Sequence, residues 1–210
     1  LITIKLEGDH LNPSNVPVVK RYLETTTAVV MGPGLGLHKE TRDAVKDVME
    51  VIEKAKIPLL LDADGLKAFA EFKRKTSLPL VLTPHAGEYR ILTGKEPPKD
   101  LEKRAVEVQR TAKNLGAVIL LKGNVDVISD VRRVKLNFTG NPGMTVGGTG
   151  DTLSGIVGAF LAQGADPFEA AVAGAFINGA AGDFVRDEKG FHMVPTYIID
   201  WIPRVMDDPM

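Results

Sequence analysis

Short apolar runs alternate along the chain with stretches whose apolar residues recur every three or four positions. The runs "TAVVM" (27–31), "IPLLLD" (57–62), "PLVLT" (79–83) and "AVILL" (117–121) read as buried strands. Between the first two, Ala44, Val45, Val48, Met49, Ile52 and Ala55 follow a helical period. A short helix is predicted over about 65–74. Leu101, Ala105, Val108, Ala112 and Leu115 make another helix, with Asp100 as its N-cap and Gly116 as its stop. "VDVISD" and "RRVKLN" read as two short strands, a candidate hairpin. Further on, a helix spans 151–163, and Asp166-Pro167 opens another that runs to about 186. A last helix follows Pro195. Repeated strand–helix units predict an α/β fold with a mostly parallel central sheet and helices on both faces. In such folds ligands sit at the carboxyl ends of the strands.

Composition narrows the function. The 210 residues suit one sizeable domain, taken here as 1–210. Formal net charge is −1 and no basic run stands out, so neither nucleic acid nor an anionic membrane is an expected partner. Without cysteine there is neither disulfide nor thiolate chemistry, as a cytoplasmic protein allows. The chain has no run of about 20 apolar residues, the length needed to span a bilayer. The four histidines, His10, His38, His85 and His192, show no metal-ligand spacing, which argues against a zinc site.

The candidate chemistry follows the strands. "MGPGLG" (31–36) leaves the first one. Its Gly34 and Gly36 do not fit a dinucleotide fingerprint, so the loop is either a tight turn or a close approach to a ligand. "LDADGL" (61–66) sets Asp62 and Asp64 past the second strand. One of them, Asp64 by preference, is expected to cap a helix, leaving the other for magnesium or phosphate. "LTPHAGEYRIL" (82–92) puts His85 and Glu88 on one face of a helical turn. They are either a substrate and water-held magnesium pair or a capped helix start. "LLKGNVD" (120–126) places Lys122 at another strand end, where it could meet phosphate or simply be solvated.

The densest stretch is "NPGMTVGGTGD" (141–151). Glycines let successive N–H groups point inward, and a helix N-terminus adds free donors and partial positive charge. The result is an anion hole suited to phosphate, though not a Walker A loop. An acid in such a place makes sense if Asp151 takes a proton from a hydroxyl that attacks the phosphate.

Five ordered blocks, "GPGLG", "LDADGL", "LTPHAGE", "LLKGNVD" and "NPGMTVGGTGDTLSGIVGAFLAQG", resemble the ribokinase-like superfamily, and within it the ADP/ATP-dependent NAD(P)H-hydrate dehydratases. The resemblance covers about 27–186. It implies phosphoryl transfer to the hydroxyl of a hydrated nicotinamide, followed by loss of phosphate to restore NADH or NADPH. It makes Asp151 the base and has Gly147, Gly148, Thr149 and Gly150 cradle the phosphate. Lys122, Gly123, Asn124, Val125 and Asp126, with Asn141 to Gly150, hold the nucleotide. Gly34 or Gly36, with His85, Glu88 and Arg90, line the hydrate site. Glu88 matches the magnesium-linked acid, and "TPHAGE" leans towards ADP over ATP.

The family's usual first strand and glycine-rich segment lie before this region, so an N-terminally truncated chain is expected. A fused or cooperating hydrate epimerase and a homo-oligomer are the implied partners. The smooth Ala/Gly surface of the helix after Pro167 supports the oligomer. A hydroxyethylthiazole-type kinase of the same fold and a non-catalytic nucleotide-binding fragment are the competing readings.

Overall fold

The computed structural model describes residues 2–207. Strands β1 (Val29–Met31), β2 (Leu59–Leu61), β3 (Leu80–Leu82), β4 (Val118–Leu121), β5 (Asp126–Ser129) and β6 (Val134–Asn137) form one sheet in sequence order. The first four pair in parallel, and β5 and β6 close one edge as an antiparallel hairpin. The first three strands each hand the chain to a helical crossover: α2 (Lys39–Ala55), α3 (Ala63–Phe72), then α4 (Ala86–Thr93) with α5 (Leu101–Leu115). Helices α6 (Thr149–Ala162), α7 (Pro167–Lys189) and α8 (Pro195–Asp207) follow the hairpin.

Alternation along the strands divides the core. Leu59, Leu61, Leu80, Leu82, Ile119 and Leu121 meet α2, α3 and α5 on one face. Leu60, Val81, Val118 and Leu120 meet α6 and α7 on the other. Strands buried on both faces have no polar side to show, which is why they read as continuous apolar runs. The predicted caps also form. Asp100 accepts from Lys103 N–H, Gly116 closes α5 in the left-handed region at φ +66°, and Asp166 accepts from Phe168 and Glu169. Helix α1 (Val16–Leu23), two turns opened by Pro17, escaped the sequence reading, as did the 3₁₀ turns at Pro13–Asn15 and Pro142–Met144.

The glycine- and alanine-rich face of α7 is spent inside the chain. A Cβ on Gly174 would meet Val157 at 2.3 Å, one on Gly179 would meet Thr139 at 2.2 Å, and one on Gly182 would meet the Met144 sulfur at 2.3 Å. This corrects the reason given for a homo-oligomer. The small residues admit α6 and the segment 139–144, not a second copy.

Candidate active site

Parallel pairing brings the ends of β1 to β4 to one edge, and the last ladder bonds hold the outgoing loops side by side. Asp62 N–H donates to Met31 O, Thr83 N–H to Leu61 O, and Lys122 N–H to Pro84 O, at 2.8–3.2 Å. The approach is close enough to require glycine twice. A Cβ on Gly32 would lie 1.8 Å from Asp62 O, and one on Gly65 2.7 Å from Met31 O. Between them Ala63 is held at φ +46°, a strained conformation of the kind that persists where surrounding structure demands it.

Three charged side chains converge at this edge. Asp62, only 2% exposed, accepts from the Lys122 ammonium at 2.9 Å and from the Ser154 hydroxyl of α6 at 2.9 Å. The buried Glu88 carboxylate lies 3.9 Å from the same ammonium. Asp62 is therefore the centre of the cluster, a role its sequence context left open. Asp64 does not cap α3. It sits in the first turn, where it accepts from Gly36 N–H at 3.0 Å and from Lys67, and so braces the glycine loop. Gly34 and Gly36 themselves adopt φ +72° and +75° with open space where a side chain would be.

His85 and Glu88 form a reciprocal capping box. His85 Nδ1 accepts from Gly87 and Glu88 N–H, and Glu88 accepts from His85 N–H at 3.0 Å. The capped-helix reading of this pair is thus real, and it also aims Glu88 at Lys122. Arg90 turns to Glu96 on the surface, at 2.9 Å, and does not join the cluster.

The segment 141–151 is anchored from behind. Asn141 caps a single turn of 3₁₀ helix at Pro142–Met144 and donates to Gly182 O and Asp183 of α7, while Asp183 also accepts from Gly140 N–H. The Thr149 hydroxyl donates to Met144 O. These two side chains shape the loop through the backbone they hold.

Gly148 occupies the N-cap of α6 at φ +97°, pressed against Pro195. Thr152 N–H is the first to close the helix, on Gly148 O, which leaves the preceding N–H groups without helical partners. A Cβ on Gly150 would stand 3.5 Å from Lys122 Nζ and 3.7 Å from Asp62 Oδ2. The open end of α6 therefore lies directly over the ion pair.

One residue on, about 100° round the helix, Asp151 faces a cleft of about 650 Å³ between α6 and α8. Among the described residues, its carboxylate has no hydrogen bond or ion pair, so it is available as a base.

The turn after β4 is internally tied. Asp126 accepts from Gly123 N–H and from Asn137, and burial pushes its carboxyl above the usual carboxylate range against those two bonds. Asn124 and Gly123 are exposed at the tip, with Val125 half-buried beside them. A second cleft, of about 640 Å³, lies between 142–146 and 191–197, with Phe191, Val194 and Tyr197 on its far wall. Sequence reading passed over these residues. An exposed aromatic just past a helix stop was the available signal.

Residues 4–204 match the family model described as NAD(P)H-hydrate dehydratase. The chain belongs to the NAD(P)H-hydrate dehydratase family. It is 47% identical over 206 residues to a bifunctional NAD(P)H-hydrate repair enzyme of Pyrobaculum aerophilum, covering 98% of this chain and 40% of that protein. It is 42% identical over 175 residues to an ADP-dependent (S)-NAD(P)H-hydrate dehydratase of Cenarchaeum symbiosum, covering 82% of this chain and 60% of that protein. Thus the chain spans about two fifths to three fifths of the length of these relatives.

A Bacillus subtilis ADP/ATP-dependent NAD(P)H-hydrate dehydratase co-crystallised with ATP and Mg²⁺ superposes with a TM-score of 0.76 at 34% identity, covering 88% of this chain and 65% of that one. A hydroxyethylthiazole kinase of Pyrococcus horikoshii, at 23% identity and a TM-score of 0.73, shares the ribokinase-like fold.

The dehydratase-family site is compatible with magnesium arriving on a nucleotide. Glu88 has an oxygen engaged by His85 N–H and an ammonium 3.9 Å away, which disfavours direct ligation of a second cation. Holding an ion through water fits this environment, and magnesium commonly keeps its waters.

Proposed function

We propose that this chain dehydrates hydrated NADH or NADPH at the expense of a nucleotide, with ADP favoured over ATP. The supporting observation is the open N-terminus of α6 over the Lys122–Asp62 pair, with the unengaged Asp151 carboxylate in the same turn. Asp151 takes the proton of the hydrate hydroxyl as its oxygen attacks the terminal phosphorus of the nucleotide. The bond to the bridging oxygen breaks, and the shortened nucleotide leaves. The carbon–oxygen bond of the new phosphate ester then breaks to release inorganic phosphate, and the adjacent ring carbon gives up a proton to solvent as the double bond forms, restoring the dihydronicotinamide ring.

The N–H groups of Gly147 to Gly150 hold the transferring phosphoryl group, and Lys122 offsets its charge. The turn Lys122 to Asp126 and the loop from Asn141 hold the rest of the nucleotide, with the cleft at Phe191 and Tyr197 offering an apolar wall to its base. Gly34 and Gly36 leave room for the hydrate, beside His85 and the Glu88 end of α4; Arg90 meets the substrate only if it leaves Glu96. Magnesium, held by Glu88 through water, would supply charge neutralisation at the transferring group.

Residues 1–210 act in this reading as one ribokinase-like unit. A reaction on reduced dinucleotides and ADP belongs in the cytoplasm, and the described residues hold no helix long and apolar enough to cross a membrane. The word bifunctional in the name of the Pyrobaculum relative leaves room for a fused or cooperating hydrate epimerase. Homo-oligomerisation now rests on family likeness alone.

The test is to incubate the chain with hydrated NADH, ADP and Mg²⁺ and follow the near-ultraviolet absorbance of the dihydronicotinamide. Asp151→Asn should keep the fold and the nucleotide affinity while lowering turnover about 10²–10⁴-fold, the usual range for a lost general base. A variant that keeps the parent rate to within about threefold, well short of that range, would make Asp151 a helix-start residue only. A phosphorylated product that accumulates would turn the assignment to a kinase.

A further inference from the structure

His38 and Glu40 are two residues apart, and His10, 30 residues before Glu40, meets them at the start of α2. His10 Nε2 is 2.9 Å from Glu40 Oε2, and His38 Nδ1 is 3.9 Å from the same oxygen. The two imidazole rings are tilted 40° to one another with centroids 4.0 Å apart. One ligand atom from each residue lies within 4.8 Å of the other two, the one such group of three or more His, Cys, Asp or Glu among the described residues. Ligands bound to one zinc ion at about 2.0–2.1 Å sit about 3.3 Å apart in a tetrahedron. Reaching that geometry draws the three ligand atoms together from within 4.8 Å and exchanges the Glu40 N–H cap bond on His38 Nδ1 for the ion. The side chains have the freedom to move, His38 and Glu40 being 56% exposed and His10 31%.

We propose that His10, His38 and Glu40 bind a divalent transition-metal ion of the zinc type, which fastens the N-terminal segment to α2. Neighbouring cations do not compete for Glu40. Lys39 pairs with Asp43, and Arg42 pairs with Glu71 and donates to Leu37 O. The backbone around His10 is already held. Asn12 donates to His10 O and Glu7 O, and Asn15 donates to Glu7 O. The positive end of α2 works against a cation here, and the Glu40 carboxylate in its first turn offsets that charge. Two imidazoles and one carboxylate favour zinc, nickel or copper over magnesium and calcium. Water would complete the shell.

Because His38 ends the loop that begins at Gly32, an ion here also restrains the segment carrying Gly34 and Gly36. This is a clamp outside the phosphoryl-transfer cluster, and it stands whether or not the proposed reaction is correct.

The experiment is calorimetric titration of Zn²⁺ into the nucleotide-free chain, with the visible spectrum of Co²⁺ as a report of the ligands. His38→Asn keeps an N-cap residue, and His10→Gln keeps a hydrogen-bond donor to Glu40. One ion per chain should bind, and each variant should weaken it at least about tenfold, since even outer-shell partners of a metal are worth that much. Zn²⁺ at a hundredfold excess over its Kd should raise the parent melting temperature by roughly 5–11 °C, with no rise in the double variant. Mg²⁺ should produce no such shift. If either variant fails to fold, Glu40→Gln carries the same expectation. Absence of stoichiometric binding overturns the site. So does binding that the double variant weakens by less than about tenfold, which would place the ion elsewhere, as at His85.

Discussion

Replacing Lys122 by methionine should destabilise the chain, and adding Asp62→Asn should restore part of the loss. The reason is the unequal burial of the pair. The Asp62 side chain is 3% exposed and that of Lys122 is 21% exposed. Lys122→Met strands a buried carboxylate with only the Ser154 hydroxyl as partner. Breaking a buried ion pair from one side typically costs about 3–5 kcal/mol. The lower end applies here, about 3 kcal/mol, because Ser154 still donates. Asp62→Asn alone is milder, about 1–2 kcal/mol, since the amide oxygen can still accept from Lys122, which also keeps Glu88 nearby.

In the double variant the charge at position 62 is gone and Glu88 is as it is in Lys122→Met, so the double variant should be about 2 kcal/mol more stable than Lys122→Met. For a chain of this size that is a melting-temperature difference of roughly 4–8 °C. Urea unfolding of the parent, both single variants and the double variant gives the complete cycle. A double variant less stable than Lys122→Met would refute the argument that Asp62 is the costlier partner to strand.

Three further outcomes follow from the geometry. Gly148→Ala should cost about 1–3 kcal/mol from its left-handed backbone alone, with more from the new Cβ 2.7 Å from Pro195 Cγ, and urea unfolding reads the sum. Glu88→Gln should lower turnover and its magnesium dependence more than nucleotide affinity; kinetics unchanged across a magnesium titration would reduce Glu88 to a capping residue. Asp126, raised by burial, should titrate above its ordinary 3.8 in an NMR experiment. Since its folded midpoint exceeds its unfolded one, its contribution to stability is fullest below the unfolded midpoint and is lost as pH rises through the folded one.

What the sequence made legible was whatever depends on backbone and spacing. The four parallel strands were visible because their burial leaves uninterrupted apolar runs. The glycines at 147, 148 and 150 were visible because bare backbone crowded against a helix start turns several N–H groups towards one point, as an anion requires. Side-chain wiring between strand ends was not legible. Asp62 and Lys122 are 60 residues apart, and Ser154 is 92 from Asp62. Only the parallel register brings their strand ends together. The same limit hid His10 beside His38. The oligomer argument failed for a related cause, since small residues on a helix signal close packing without naming the neighbour. Helix α1 was missed because its eight residues carry too few turns for a period to stand out.

The charges at the strand ends show why a helix N-terminus alone would not suffice here. Asp62, Glu88 and Asp151 contribute three negative charges in and beside the cluster, and Lys122 contributes one positive, for a net of −2. The N-terminus of α6 returns about half a positive charge. A polyphosphate approaching this surface on its own would meet repulsion. It must either bring a cation or gain more from the N–H groups than it loses to the carboxylates. Burial settles how the protein uses that imbalance. Asp62 is neutralised by its bond to Lys122, and Glu88 is part-neutralised across 3.9 Å. Asp151 alone is left exposed and unengaged. The residual negative charge is therefore shared by Glu88 and Asp151, and of the two only Asp151 is exposed and, among the described residues, free of a hydrogen bond or ion pair. In the proposed reaction a cation arriving with the nucleotide would compensate the phosphates, with Glu88 reaching it only through water.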